Sequence, residues 1–293
     1  MMPAVRPARA EDLPALTRFM AAHNALPQER CLFLGESLRE IQGDLEEHFE
    51  GEPAESFVLA ERGGRIAGAL GCAVDATTRR GWLAGPWVAG EPWEETAAAM
   101  FLALRERLGT GVVLFDTYVD AQAKRLLGFY AGRGFRGRKQ AHVYLAAPPA
   151  DPAPLVPGVD LAPGQEAAFL DLHTRAFPEA PDHGRDLLDR RAADARILAM
   201  ADAEGLLGYA AGIEQSALGE GFVEYLAVEP RARGRGHGRT LLRQMLQWFF
   251  TERNLGQVAL TVDDANAQAR GLYESAGFRL HRTGIALRWP LCG

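Results

Sequence analysis

Between positions 222 and 262 the hydrophobic period of the chain changes twice. FVEYLAV (222–228), rich in β-branched and aromatic residues, predicts a buried strand that Glu229-Pro230 ends. Beyond it Leu241, Met245 and Phe249 recur every four positions, with Leu242, Leu246 and Phe250 beside them, which predicts an amphipathic helix. Asn254-Leu255-Gly256 stops that helix, with the glycine as the left-handed cap. QVALTV (257–262) then returns to strand.

The same alternation extends over the chain in two rounds. The first opens with a short strand at Val5-Arg6-Pro7. A helix follows from about Asp12, with Leu13, Leu16, Phe19 and Met20 on one face, then a helix over roughly Ser37 to Phe49. FVLAERGGRIAGALGCAV reads as a hairpin turning at Gly63-Gly64. The second round opens with Val159-Asp160-Leu161. One helix carries Ala168, Phe169, Leu172 and Phe177, and another runs near Asp186 to Ala193. ILAMADAEGLLGYAAGI forms a hairpin turning at Ala203-Glu204-Gly205. Gly68 and Gly208 mark matching points 140 positions apart, and FYAGRGF (129–135) and LYESAGF (272–278) match at an offset of 143. The pattern predicts a tandem duplication of two α+β domains. AAPPADPAPLVPG (146–158) separates them, too rich in proline for helix or interior strand.

Composition narrows the function classes. The 293 residues suit two domains of ordinary size. A hydrophobic content of 47% and a charged content of 24% fit a soluble globular protein. The net charge of −6 and pI near 5.7 argue against general nucleic-acid binding, which needs a basic face, and suit a small cationic substrate better. Cys31, Cys72 and Cys292 have neither metal-ligand nor disulfide-framework spacing, which fits a reducing cytoplasm and no metal. MMPAVRPARAEDLPAL has no apolar core, so no secretory signal is expected, and no apolar run is long enough to span a membrane.

RGRGHGRT (233–240) joins the strand to the helix. Gly234, Gly236 and Gly238 would turn at a helix N-terminus, where backbone N–H groups lack internal partners and the helix dipole is positive. Glycines let a diphosphate approach the backbone; Arg233, Arg235 and Arg239 add counter-charge and Thr240 a hydroxyl. A solvated turn with surface arginines is the plainer alternative. A dinucleotide fold would need further strand–helix units after this one, and a phosphate-binding P-loop needs a lysine.

A second motif follows the second strand: Asn266, Ala269, Leu272, Tyr273, Gly277 and Phe278, spaced N-x-x-A-x-x-L-Y-x-x-x-G-F. With Arg233, Gly236 and Gly238 as R-x-x-G-x-G, the second half closely resembles the GNAT superfamily of acyltransferases. The resemblance implies two tandem GNAT domains, each a central, mostly antiparallel twisted sheet flanked by helices. It implies acetyl-CoA as cosubstrate and direct transfer of the acetyl group to a primary amine of a small molecule or peptide. The pantetheine arm would pair with backbone at Leu226, Ala227 and Val228, and the pyrophosphate would sit on Arg233, Gly234, Arg235, Gly236, His237, Gly238, Arg239 and Thr240. His237 falls at a variable position of the loop pattern and counts as a loop residue. Asn266 would cap its helix and contact the cofactor.

Direct attack requires a neutral amine and so a base. Glu224 lies on the strand before the loop and shares a face with Phe222 and Leu226 if alternation is regular. There burial would raise its pKa. It is either that base or a site for the substrate's positive charge. Tyr273 matches the family's general acid for the departing thiolate; its alternative is a core aromatic. His173, Phe177, Glu179, Asp182 and His183 stand where an acceptor pocket would form.

The first half keeps the fold signals without the cofactor signals. GPWVAGEPWEETAAAMF (85–101) puts Glu91, Glu94 and Glu95 where a phosphate would sit, and close carboxylates repel it. Tyr130, Gly134 and Phe135 match the second motif, but no Asn stands seven residues before Tyr130. The expected organisation is a degenerate GNAT domain at 1–147, a linker at 148–158 and a catalytic GNAT domain at 159–293. This layout resembles mycothiol synthase and other tandem GNAT enzymes, and the likeness in layout implies no particular substrate. A non-catalytic CoA-binding sensor and a longer-chain acyltransferase are the alternatives, and the protein is expected as a monomer or homodimer.

Overall fold

The computed structural model describes residues 3–49, 51–150, 158–180, 183–215 and 219–290. The chain forms two compact units, Met1–Ala141 with Thr283–Gly293, and His142–Arg282.

Unit 1 contains β1 (Ala4–Pro7), α1 (Leu13–Asn24), α2 (Leu38–His48), β2 (Phe57–Arg62), β3 (Arg65–Asp75), β4 (Arg80–Val88), α3 (Trp93–Leu108), β5 (Leu114–Asp120), α4 (Lys124–Gly132) and the start of β6 (Arg136–Ala146). Unit 2 contains the end of β6, α5 (Glu166–Ala176), α6 (His183–Arg190), β7 (Ala195–Asp202), β8 (Gly205–Gln215), β9 (Glu220–Val228), α7 (His237–Gln247), β10 (Gln257–Asp263) and α8 (Ala267–Ser275). The last strand, β11 (Arg279–Pro290), enters unit 1, where Gly284 to Pro290 pair antiparallel with Asp120 to Leu114. The strand orders are β1-β2-β3-β4-β5-β11 and β6-β10-β9-β8-β7. From β1 to β11 and from β10 to β7 the neighbours run antiparallel except β4–β5 and β9–β10, which are parallel.

Helices cover both faces of each sheet. In unit 1, α1 and α2 bury Leu16, Met20, Ile41 and Leu45 on one face, and α3 and α4 bury Met100, Leu104, Leu126 and Phe129 on the other. Ser37 starts α2 by accepting from Glu40 N–H in a capping box. In unit 2, α5 and α6 contribute Phe169, Leu172 and Leu187 to one core, and α7 with the π-helical turn that continues it (Trp248–Glu252) lays Leu241, Met245 and Phe249 into the other. Those three side chains are fully buried, and each contributes about 1.5–3 kcal/mol. The duplication is visible in register: Gly68 pairs with Val88 and Gly208 with Val228. A Cβ at either glycine would run into the paired strand, at 3.1 Å from Trp87 O or 2.6 Å from Ala227 O.

Several expectations need correction. The Pro-rich stretch does follow β6, although 151–157 lie outside the described residues, as does Cys292. The units, however, are not two consecutive halves. Unit 1 is completed by Thr283 onward, and unit 2 by residues 142–146, whose Tyr144 and Ala146 are buried in the α7-side core. Alternation identifies a strand but not its partner. Val159-Asp160-Leu161 makes only an isolated bridge, Asp160 with Leu198. α6 begins three residues earlier than expected, at His183. Asn254, at φ +54°, takes the left-handed position assigned to Gly256.

Candidate active site

The functional geometry starts where β9 and β10 part. They pair in parallel only from Glu220–Gln257 to Phe222–Ala259. β9 continues to Val228 still paired to β8, so its opposite edge has no strand ladder beyond Phe222. The slot includes the backbone of Leu226, Ala227 and Val228. For this reason FVEYLAV is not the fully buried strand expected: Val223 and Ala227 are buried, while Glu224, Tyr225, Leu226 and Val228 are partly exposed.

Within the slot lies a β-bulge. The register passes from Gly212–Val223 to Ala211–Tyr225, leaving Glu224 as the extra residue. Regular alternation therefore fails. Val223 and Leu226 pack on the α7 side, whereas Tyr225 and Ala227 pack on the α5–α6 side. Glu224 does not share one continuous face with Phe222 and Leu226.

The glycine loop follows β9. Its base is fixed by ion pairs: Arg231 grips Asp202 at 2.9 Å and Glu204 at 3.2 Å, and Glu229 takes Arg175 at 2.6 Å. Arg233 donates from Nε to Val228 O at 3.1 Å. Among the described residues, Arg233, Arg235 and Arg239 form no ion pair, in contrast to Arg231. Gly234 and Gly236 have φ of +76° and +83°, and a Cβ on either would meet nothing within 4 Å. Backbone conformation, not crowding, requires glycine at these two, and the space above them is open. Gly238 differs: it lies in the first turn of α7, where a Cβ would only touch Leu272 and Val228. His237 opens α7, half-buried. The Thr240 hydroxyl bonds inward to Gly236 O at 3.3 Å. The exposed N-terminus of α7, the open glycines and the arginines together fit a diphosphate.

The other wall comes from α8. Asn266 caps it by accepting from Ala269 N–H at 3.1 Å. Tyr273 is half-buried with its ring edge-on to Phe278, and burial pushes its pKa up to about 12. Its hydroxyl has no hydrogen-bond partner among the described residues.

On the acceptor side, His173 is fully buried between Tyr209 OH (2.7 Å) and Ala180 O (3.0 Å), a satisfied core histidine with its pKa lowered by burial. Phe177 and Tyr225 meet edge-to-face at 4.7 Å, and His183 Nδ1 lies 2.5 Å from Tyr225 OH. Burial, and then the charges of Glu224 and Asp186, push Tyr225 up to about 12. Asp182 lies outside the described residues. Sequence reasoning passed over Tyr225, because the bulge beside it is set by strand pairing and carries no signal in the sequence.

In unit 1 the corresponding features are closed. Glu91 places its own carboxylate at the N-terminus of α3, accepting from Trp93 N–H at 2.7 Å and pairing with Arg125 at 3.2 Å. Glu94 pairs with Arg133. The position 140 before Glu224 is Ala84, which is buried. Tyr130, fully buried, donates its hydroxyl to Gly85 O. Among the described residues no group of three or more His, Cys, Asp or Glu is placed to hold a metal, and no helix is long and apolar enough to cross a membrane.

Residues 166–278 match the sequence pattern of the acetyltransferase (GNAT) family. Mycothiol acetyltransferase of Salinispora arenicola is 37% identical over 150 residues, 46% of this chain and 48% of that protein. The protein of the same name from Beutenbergia cavernae is 33% identical over 123 residues, 39% of this chain and 41% of that one. The chain thus spans about half the length of these curated relatives. Among solved structures, a GCN5-related N-acetyltransferase from Sphaerobacter thermophilus superposes with a TM-score of 0.78 at 18% identity, covering 99% of this chain and 96% of that one. A tandem GNAT protein from the clavulanic acid biosynthesis pathway gives 0.69 at 17% identity, with 99% of both chains covered. At these identities the likeness is one of fold.

Proposed function

We propose, from the match of residues 166–278 to the acetyltransferase (GNAT) family, that the chain is an acetyl-CoA-dependent N-acetyltransferase whose second unit performs the reaction. The observation that carries this is the conjunction at the parted strands. An open glycine turn at the N-terminus of α7, with three arginines outside any ion pair among the described residues, adjoins Val228 of β9 and Leu272 of α8, the strand and helix that carry Glu224 and Tyr273.

Acetyl-CoA supplies an activated acyl carbon. The N–H groups opening α7, with Arg233, Arg235 and Arg239, hold its diphosphate, and the free edge of Leu226–Val228 holds the pantetheine amides as an added strand. Asn266 fixes the start of α8 and contacts the cofactor. Glu224 takes the proton that an ammonium must lose before its nitrogen has a lone pair. Tyr273, protonated at neutral pH, donates its hydroxyl proton to the departing sulfur. The acceptor is a primary amine of a small molecule or peptide; the aromatic wall of Phe177 and Tyr225 beside Glu224 suits a cation with an apolar body. Unit 1 does not bind acetyl-CoA, because Glu91 already fills its helix N-terminus.

Calorimetric titration of acetyl-CoA, followed by thiol release across a panel of amines, tests this. One site per chain and amine-dependent release support the proposal. Binding without release to any amine leaves a CoA-binding module, and no binding removes the enzyme reading.

A further inference from the structure

We propose that unit 1 carries a ligand site of its own, for a small organic cation, in the cavity below the C-terminal end of α2. The cavity has a volume of about 310 Å³ and is lined by Phe33, Trp82, Glu47, His48 and Asp75 with the strand end at Ala73. That volume is at the lower end of the range for small-molecule sites, roughly 300–1,000 Å³. Its floor is the turn end of the β3–β4 hairpin, where Ala73 pairs with Trp82 and Asp75 with Arg80. Its roof is the last turn of α2 with Phe33, whose ring lies 5.5 Å from His48 and 6.1 Å from Phe49.

The chemistry of the lining selects for positive charge. Trp82 already takes the Arg80 guanidinium over its ring at 4.7 Å, so the indole serves as a cation acceptor in this fold. That arginine also pairs with Asp116, a carboxylate it shares with Arg288. Asp75 is held by neutral donors only: Thr77 N–H, Thr78 N–H and the Thr78 hydroxyl. These bonds favour its ionised form, and the charge of Arg80, its cross-strand neighbour, adds to them. Glu47 makes no ion pair among the described residues. Glu47, outside any ion pair among the described residues, Asp75, held by neutral donors beside Arg80, and two aromatic rings thus converge on one cavity. Unit 1 lacks the open glycine turn, so a cation held there is bound and not acetylated; the proposal stands whether or not unit 2 is active.

Choline and its uncharged isostere 3,3-dimethylbutan-1-ol are the probes, followed by saturation-transfer NMR on the full chain. Choline has no N–H to acetylate. We expect saturable choline binding, weakened about tenfold or more by Glu47→Gln and by Trp82→Ala, retained in Trp82→Phe, and at least about tenfold weaker for the isostere. Glu47 is exposed, so its variant reports binding without unfolding the unit. No saturable binding of choline, equal binding of the isostere, or choline binding unchanged in both Glu47→Gln and Trp82→Ala overturns the proposal. A loss caused only by Tyr225→Phe also overturns it, by placing the cation in unit 2.

Discussion

The hydroxyl of Tyr130 donates to the carbonyl of Gly85 at 2.6 Å, and both residues are buried. Tyr273, its counterpart 143 positions later, has no such partner among the described residues. The two tyrosines should therefore respond differently to the same change. Tyr130→Phe strands a buried carbonyl and should cost about 1–3 kcal/mol in denaturant unfolding, with turnover unaffected. Tyr273→Phe should leave stability and acetyl-CoA affinity nearly unchanged and lower kcat by about 10²-fold or more, within the usual worth of general acid catalysis. A Tyr273→Phe enzyme with wild-type kcat would end the acid assignment.

Tyr273 also constrains the pH profile. Burial raises its pKa from 10 to about 12, so the protonated, proton-donating form persists further into alkali than in an exposed tyrosine. Any alkaline fall in kcat below about pH 11 should arise from another group. Such a limb should survive in the residual activity of Tyr273→Phe.

Gly236→Glu should abolish acetyl-CoA binding in calorimetry. It puts a carboxylate where the diphosphate would sit. A non-glycine residue in the left-handed region costs about 1–2 kcal/mol. α7 is held by the fully buried Leu241, Leu242 and Met245, together worth more than that, so circular dichroism should still show a folded chain. Residual binding at half the wild-type stoichiometry would reveal a second site in unit 1, against the blocking role of Glu91.

Glu224→Gln keeps the shape of the bulge and removes the base. Turnover at neutral pH should fall, and the acid limb of kcat/KM that belongs to the carboxylate should disappear. If Glu224 only attracts the substrate's charge, KM for the amine should rise with kcat nearly unchanged.

The boundaries of the units can be tested with fragments. Residues 142–282 should give a cooperative thermal transition. Residues 159–293 should not, because they lack Tyr144 and Ala146 from the unit 2 core and retain a strand belonging to unit 1. Equal cooperativity of the two fragments would count against the division.

Much of this fold was legible because local patterns agreed with it. The ridges Leu16–Met20 and Leu241–Met245–Phe249 have helical spacing and are buried as such, and both hairpins turn at the expected glycine-bearing positions. Asn266 does cap α8. What escaped depends on non-local geometry. The bulge at Glu224 is a mismatch between two strands and leaves no trace in one of them. Glu91 could be identified as an unsuitable phosphate neighbour, but its role as the occupant of its own helix N-terminus needs coordinates. The destination of β11 was equally hidden, because its alternation fits an edge of either sheet.

That destination sets the order in which the molecule can be finished. Chains leave the ribosome from the N-terminus, and N-terminal domains generally fold first. Here β5 lacks its outer neighbour until Gly284 to Pro290 have been synthesised, and the rings of Phe115 and Phe135 wait for Trp289. Unit 2 has every residue it needs by Arg282. The half encoded first is therefore the last to close, and throughout elongation it exposes a strand edge that other nascent chains could pair with.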